Sequence, residues 1–240
     1  MRNCLKTGMA AIAVTLVIAT SAHAVPVTGQ GNWQTTLQAR DLDGDTVTDA
    51  FYDTTLNITW LRNANVNDPM NWDAANTWAA GYSFGGYSDW RLPTMVDTGT
   101  SGCNFSYSGT DCGYNPSTAT SEMASLFFDT LGNKSYYNTS VVFQADYGLT
   151  NTGDFLNMQS DDYWSGLEYA PNTDDAWHFN TNGAGQNNAD KGNGLYAMAV
   201  RPGDVPTATV PEPESLLLVL TALAGLGWVR RRRAVGSLAL

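Results

Sequence analysis

Basic and metal-ligating side chains are scarce in this chain of 240 residues. Histidine occurs only at His23 and His178, cysteine only at Cys4, Cys103 and Cys112, and 12 lysines and arginines face 23 aspartates and glutamates. With so few imidazoles, a Ser-His-Asp or Cys-His arrangement has at most one centre beyond the N-terminal segment, His178, and no motif points a nucleophile at it. No histidine or third cysteine lies beside Cys103 and Cys112, which argues against a zinc-type site. Between residues 25 and 210 six basic residues stand against twenty-one acidic ones, a net charge of −15. Such a surface repels nucleic acid and sulfated polysaccharide. Internal repeats are absent too, which excludes a solenoid or propeller.

What is present begins at the two ends. Arg2 and Lys6 precede an apolar run from Met9 to Ala19 and then Ala22-His23-Ala24, the form of a secretory signal peptide cut after Ala24. Cleavage there removes Cys4 and His23 from any site. At the other end a linker over 205–215 holds Val210-Pro211-Glu212-Pro213-Glu214. An apolar stretch over 216–229 comes next, and then an arginine cluster, Arg230 to Arg233, in a cytoplasmic end of 230–240. Fourteen residues at about 1.5 Å each reach roughly 21 Å, short of a ~30 Å hydrocarbon core, as suits a transient inner-membrane anchor. The arginines keep the tail in the cytoplasm and leave 25–210 outside.

These C-terminal residues, Pro211-Glu212-Pro213, one hydrophobic helix and four arginines, resemble the PEP-CTERM sorting signal. The resemblance implies recognition by exosortase, processing near Pro211-Glu212-Pro213, and a cell-surface or extracellular destination in a Gram-negative bacterium that makes exopolysaccharide.

Between the ends there is length for one domain. Residues 25–50 form an acidic N-terminal segment, anchored by Trp33 and Leu37. From Ala50 to Leu61, Phe51, Tyr52, Leu56, Ile58 and Trp60 predict one or two short strands. Trp72, Ala75 and Ala79 at helical spacing predict a helix over Asn71 to Ala80 with an Asn or Asp start, and Met123, Leu126, Phe127 and Leu131 predict a second over Ser121 to Leu131, stopped at Gly132-Asn133. Asp162 to Ser165, Ala176 to Phe179 and Leu195 to Val200 read as antiparallel strands separated by a Gly and Asn-rich turn region. Helices first and strands last indicate an α+β domain with short antiparallel strands and two helices. In an exported compartment Cys103 and Cys112 are expected to form a disulfide that pins a loop.

Gly85-Gly86-Tyr87-Ser88-Asp89-Trp90-Arg91-Leu92-Pro93-Thr94, with Tyr163-Trp164-Ser165-Gly166, Ala176-Trp177 and the closing Ala199-Val200-Arg201, resembles the Lcl C-terminal domain family from about Phe51 to Arg201. The Arg-Leu-Pro-Thr segment is also similar to formylglycine-generating enzymes, whose fold is related to C-type lectins. The resemblance implies a single C-type-lectin-like domain over 51–204. The enzymes' activity does not carry over, because their active-site cysteines lie near the C-terminal end whereas Cys103 and Cys112 come after Thr94. The sugar-binding Glu-Pro-Asn and Trp-Asn-Asp motifs of calcium-dependent lectins are absent as well. Within the motif, Trp90 and Leu92 are expected to be buried, Pro93 to end a strand, Thr94 to cap the next segment, and Arg91 to bond a carboxylate or carbonyls.

Asp41, Asp43, Asp45 and Asp49 stand at positions 1, 3, 5 and 9 of a calcium-type loop. The pattern departs from the full motif, with Thr46 where glycine is expected and Tyr52 in place of the closing glutamate; Asp53 is a substitute ligand, and a solvated acidic turn is the plain alternative. The pairs Asp161-Asp162 and Asp174-Asp175 do not suit a glycosidase, because neighbours in a strand point to opposite faces. Tyr163, Trp164, Tyr169 and Trp177 read as core aromatics, or, if exposed, as a sugar-stacking platform. The expectation is therefore a non-enzymatic exported protein associated with extracellular polysaccharide. Its alternatives are a secreted polysaccharide-acting hydrolase and a calcium-stiffened surface module.

Overall fold

The computed structural model describes residues 31–103, 105 and 111–205. The signal peptide with Ala24, the motif Pro211-Glu212-Pro213 and the hydrophobic tail lie outside the described residues. Among the described residues the fold comprises two four-stranded antiparallel sheets and a few short helices. Among the described residues no helix is long and apolar enough to cross a membrane.

The first sheet runs β1 (Leu37–Arg40), β2 (Ala50–Asp53), β3 (Ile58–Leu61) and β8 (Val200–Pro202), in that order. The Ala50 to Leu61 segment is thus a hairpin of two strands, with Phe51 opposite Trp60 and Asp53 opposite Ile58. β2 and β3 are buried almost throughout. The reason is packing on both faces: Phe51, Ile58 and Trp60 join one core while Ala50 and Leu61 join another. A short helix, α1 (Trp33–Thr36), leads directly into β1, so the N-terminal segment is an edge of the sheet.

The second sheet is ordered β4 (Gly113–Tyr114), β7 (Gly185–Asp190), β6 (Asp175–Asn180) and β5 (Asp162–Glu168). β7 corrects the sequence reading, which assigned its Gly-Gln-Asn-Asn residues to a turn region. Strand propensity of those residues is low, but six paired positions with β6 satisfy the backbone and override it. The expected strand over Leu195 to Val200 is also corrected. Leu195 and Tyr196 make isolated bridges to Met70 and Tyr163, and the ordered strand begins only at Val200.

Both expected helices form, and a third, α1, precedes them. α2 (Trp72–Gly81) starts where Asn71 Oδ1 accepts the Ala74 N–H at 2.9 Å and buries Ala75 and Ala79. α3 (Glu122–Ala124) starts with Ser121 as its cap and continues as a π-helix over Ser125–Thr130, closed by the Leu131 N–H to Leu126 carbonyl bond of 2.8 Å. Widening the turn leaves Leu126, Phe127 and Leu131 all fully buried in the largest core.

The Gly85 to Thr94 motif lies between these cores. Gly85 has a φ of +58°, and a Cβ there would stand 2.2 Å from the Leu42 carbonyl oxygen, so no other residue fits. Trp90 and Leu92 are buried as expected, in two different clusters. Arg91 spans to Glu122 with two bonds of 2.8 and 2.7 Å, and the same carboxylate accepts the Thr94 N–H at 2.8 Å. Thr94 therefore caps no helix; its backbone is tied to the first residue of α3, and Ser121 does the capping.

Candidate functional site

On one side of the second sheet, at the end opposite α2, lies an open cleft of about 450 Å³. Its floor is Asp162, His178, Asn180 and Asn187, with Gly183 and Gly185 between them; Gln186 lines it from the intervening position of β7, its register partner being Phe179, and Phe105 and Tyr114 form its wall. Strand register produces this grouping. Asp162 pairs with Asn180, and His178 with both Trp164 and Asn187, so these side chains project from a common face.

The polar groups are arranged but not all used. Asn180 Nδ2 donates to Asp162 Oδ1 at 2.8 Å. His178 Nδ1 lies 3.0 Å from the same oxygen, yet off the line a hydrogen bond needs, and this buried nitrogen has no hydrogen-bond partner. Burial pushes the Asp162 carboxyl up, and the His178 ring with Asn180 outweighs this, holding it below the usual carboxylate range. Gln186 is committed: its oxygen accepts from Ser121 Oγ at 2.7 Å and its amide donates to the Asp111 carbonyl at 2.6 Å.

The wall is held by the disulfide. Cys103 and Cys112 are bonded as expected, with Cα atoms 4.8 Å apart, and Cys112 runs straight into β4, which pairs with β7 at Gly185 and Gln186. Tyr114 in β4 meets Phe105 at 5.8 Å edge-on and Tyr136 at 6.1 Å stacked. Tyr136 continues the array to Phe143 and Tyr147, and Phe143 is exposed. This aromatic surface is not the expected one. Tyr163, Trp164 and Trp177 are fully buried and Tyr169 nearly so, and all four serve the core. His178, on β6, is nine-tenths buried in the cleft floor.

The acidic turn is partly assembled. Carboxylate oxygens of Asp41, Asp43 and Asp49 lie within 4.8 Å of one another, without Asp45, whose Oδ1 accepts the Val47 N–H at 2.7 Å. Backbone N–H groups of Thr46 and Gly44 donate to Asp41 and hold its carboxyl below the ordinary value against a burial effect of opposite sign. Burial and the neighbouring carboxylates push Asp49 up. Thr46 takes a φ of 73° where the motif has glycine. Asp53, the substitute ligand considered from the sequence, is excluded from the turn. It is fully buried, and it accepts from the N–H groups of Thr55 and Leu56 and from Trp60 Nε1.

No single signal in the sequence marked Tyr114, Asn180 or Asn187 as neighbours. They come from three strands, one of which reads as a turn; the only hint was amide-rich sequence beside Tyr114 and the cysteines.

No curated protein matches the chain significantly. Residues 209–233 match the PEP-CTERM protein-sorting motif, which implies exosortase processing, export and passage across the membrane of a Gram-negative bacterium. Residues 49–201, which contain both sheets' central strands, the Gly85 to Thr94 motif and the cleft, match the Lcl C-terminal domain, and the chain belongs to that family.

Proposed function

We propose that this exosortase-sorted protein is a non-catalytic, glycan-binding module of the cell surface or exopolysaccharide matrix, on a C-type-lectin-like scaffold. The cleft carries the proposal: amide and carboxylate groups on its floor suit sugar hydroxyls, and the Tyr114 and Phe105 rings suit the apolar face of a pyranose. Pairing of the first strands with the last, β3 with β8, supports the scaffold. Binding is favoured over hydrolysis because a glycosidase works with two carboxyls roughly 5 to 9.5 Å apart. Asp162 is the one carboxylate among the described lining residues.

The test is calorimetric titration of the full-length protein, in a detergent without sugar headgroups, with oligosaccharides prepared from the host's exopolysaccharide. Saturable binding is expected, weakened by about 1–3 kcal/mol in Tyr114→Ala through loss of aromatic contact. Equal affinity in that variant places binding elsewhere, and release of shorter products makes the protein a hydrolase.

A second role, calcium stiffening of the 41–49 turn, is favoured by the convergence of Asp41, Asp43 and Asp49. Oxygen ligands of this kind suit calcium, and an ion bound at a hundred times its Kd adds about 2.7 kcal/mol to stability. Calcium is expected to raise the melting temperature over that in EDTA, and Asp49→Asn to abolish the rise. An unchanged melting temperature in the parent protein leaves the turn a solvated one.

A further inference from the structure

We infer that the cleft prefers glycans bearing free amino groups, such as a partly deacetylated hexosamine polymer, and rejects those bearing uronic acid, sulfate or phosphate groups. The inference rests on the glycan-binding reading and names its ligand class.

The first ground is what the cleft offers. Asp162 is the one carboxylate among the described lining residues, and His178 the one imidazole. Its Oδ1 is occupied by Asn180 and faced by the misaligned His178 Nδ1, while Oδ2 accepts no hydrogen bond among the described residues. Beside it Asn187 Nδ2 donates to nothing among the described residues, although its oxygen accepts from Asn188 N–H at 2.9 Å. A free carboxylate oxygen, a nine-tenths-buried imidazole whose Nδ1 faces Asp162 without a hydrogen bond, and a free amide N–H form a built polar site with an acceptor at its charged point. An alkylammonium supplies three donors to such an acceptor, and the Tyr114 and Phe105 faces attract the same cation.

The second ground is where the positive charge of the domain goes. Arg40 is paired with Asp204, Arg91 with Glu122, Lys134 with Asp146, Lys191 with Glu168 and Arg201 with Asp89. Arg62 donates to the carbonyls of Asp154 and Thr48. All six basic side chains of residues 25–210 are committed, and none lines the cleft. An acidic sugar would therefore enter with no lysine or arginine to meet it, only the His178 ring that already faces Asp162, and against a domain charge of −15. Neutral sugars escape that repulsion, but only an amino sugar gains from the charge.

Three uniform probes decide the matter: oligomers of glucosamine, N-acetylglucosamine and galacturonic acid, titrated into the full-length protein in the same detergent. At low salt and slightly acidic pH the glucosamine oligomer is expected to bind about tenfold or more tightly than its acetylated counterpart, a contrast that shrinks as salt screens the carboxylate. Galacturonate is expected not to bind. Asp162→Asn keeps the shape and the Asn180 contact, and should bring glucosamine and N-acetylglucosamine oligomers within about twofold of each other while retaining the weaker affinity. If that variant fails to fold, the salt dependence of the contrast in the parent protein decides instead. Equal or tighter binding of the acetylated oligomer, or any galacturonate binding, overturns the amino-sugar inference and leaves the glycan reading standing. No binding of any probe, nor of the host's own oligosaccharides, overturns both.

Discussion

Replacing Trp164 with alanine is expected to cost the fold about 3–5 kcal/mol, the range for removing a large buried aromatic. Trp164 is wholly buried on β5, where it packs with Ala75 and Ala79 of α2 and with Leu92. Its indole Nε1 donates to the Met70 carbonyl at 2.9 Å, so truncation leaves a cavity and removes one of the two bonds that carbonyl accepts, the Leu195 N–H at 3.1 Å remaining. A lower midpoint in urea unfolding at unchanged slope would be the sign of this effect. A sugar-stacking tryptophan behaves in the opposite way: its removal spares stability and abolishes binding. The His178 ring stands edge-on to Trp164 with centroids 6.3 Å apart, so the folded fraction of the variant should also bind glycan more weakly.

Asp53→Ala is expected to destabilise by roughly 2–4 kcal/mol, because three donors lose a fully buried acceptor. Asn is expected to cost less. Its oxygen can keep the Thr55 and Leu56 bonds, and only the Trp60 Nε1 contact at 3.3 Å becomes a meeting of two donors. The pair of variants also has a pH signature. Burial raises the Asp53 carboxyl above its ordinary 3.8 despite those bonds. The folded chain therefore holds that proton more tightly than the unfolded chain, and acidification from neutrality towards 3.8 stabilises the fold through this group. The wild type should gain on Asp53→Asn as pH falls across that window, in urea titrations at a series of pH values. Asp89, Asp97 and Asp204 run the other way. Their lowered values mean stabilisation that is complete above 3.8 and lost only below it. A difference between wild type and Asp53→Asn that stays flat with pH would mean that Asp53 titrates at its unfolded value.

Much of the frame was legible because it rests on local chemistry. Asn71 caps its helix through a short-range bond to Ala74, encoded three residues apart, whereas the Ser121 cap stood where the sequence pointed to Thr94. The burial of Trp90 and Leu92 and the Arg91 to carboxylate bond came from side-chain type and alternation. The disulfide needed only two cysteines nine positions apart and an oxidising compartment. β7 was illegible for the converse reason. Its Gly, Gln and Asn residues carry a turn composition, and only hydrogen bonding to β6 makes them a strand. The same misreading concealed the cleft, since Asn187 reaches its floor only if residues 185–190 are extended.

The sequence by itself determined the family, the sorting tail, the two helical segments with the Asn71 start of the first, extended chain between Ala50 and Leu61, and the disulfide, each carried by nearby residues whose own geometry or chemistry is sufficient. Only the tertiary structure decided which aromatics are core and which are surface, that Asp53 belongs to the interior and not to the acidic turn, and that Asp162, His178, Asn187 and Tyr114 share one cleft. Those outcomes depend on strand register and on what covers each face, and both are set by contacts between residues tens of positions apart, which no local pattern records.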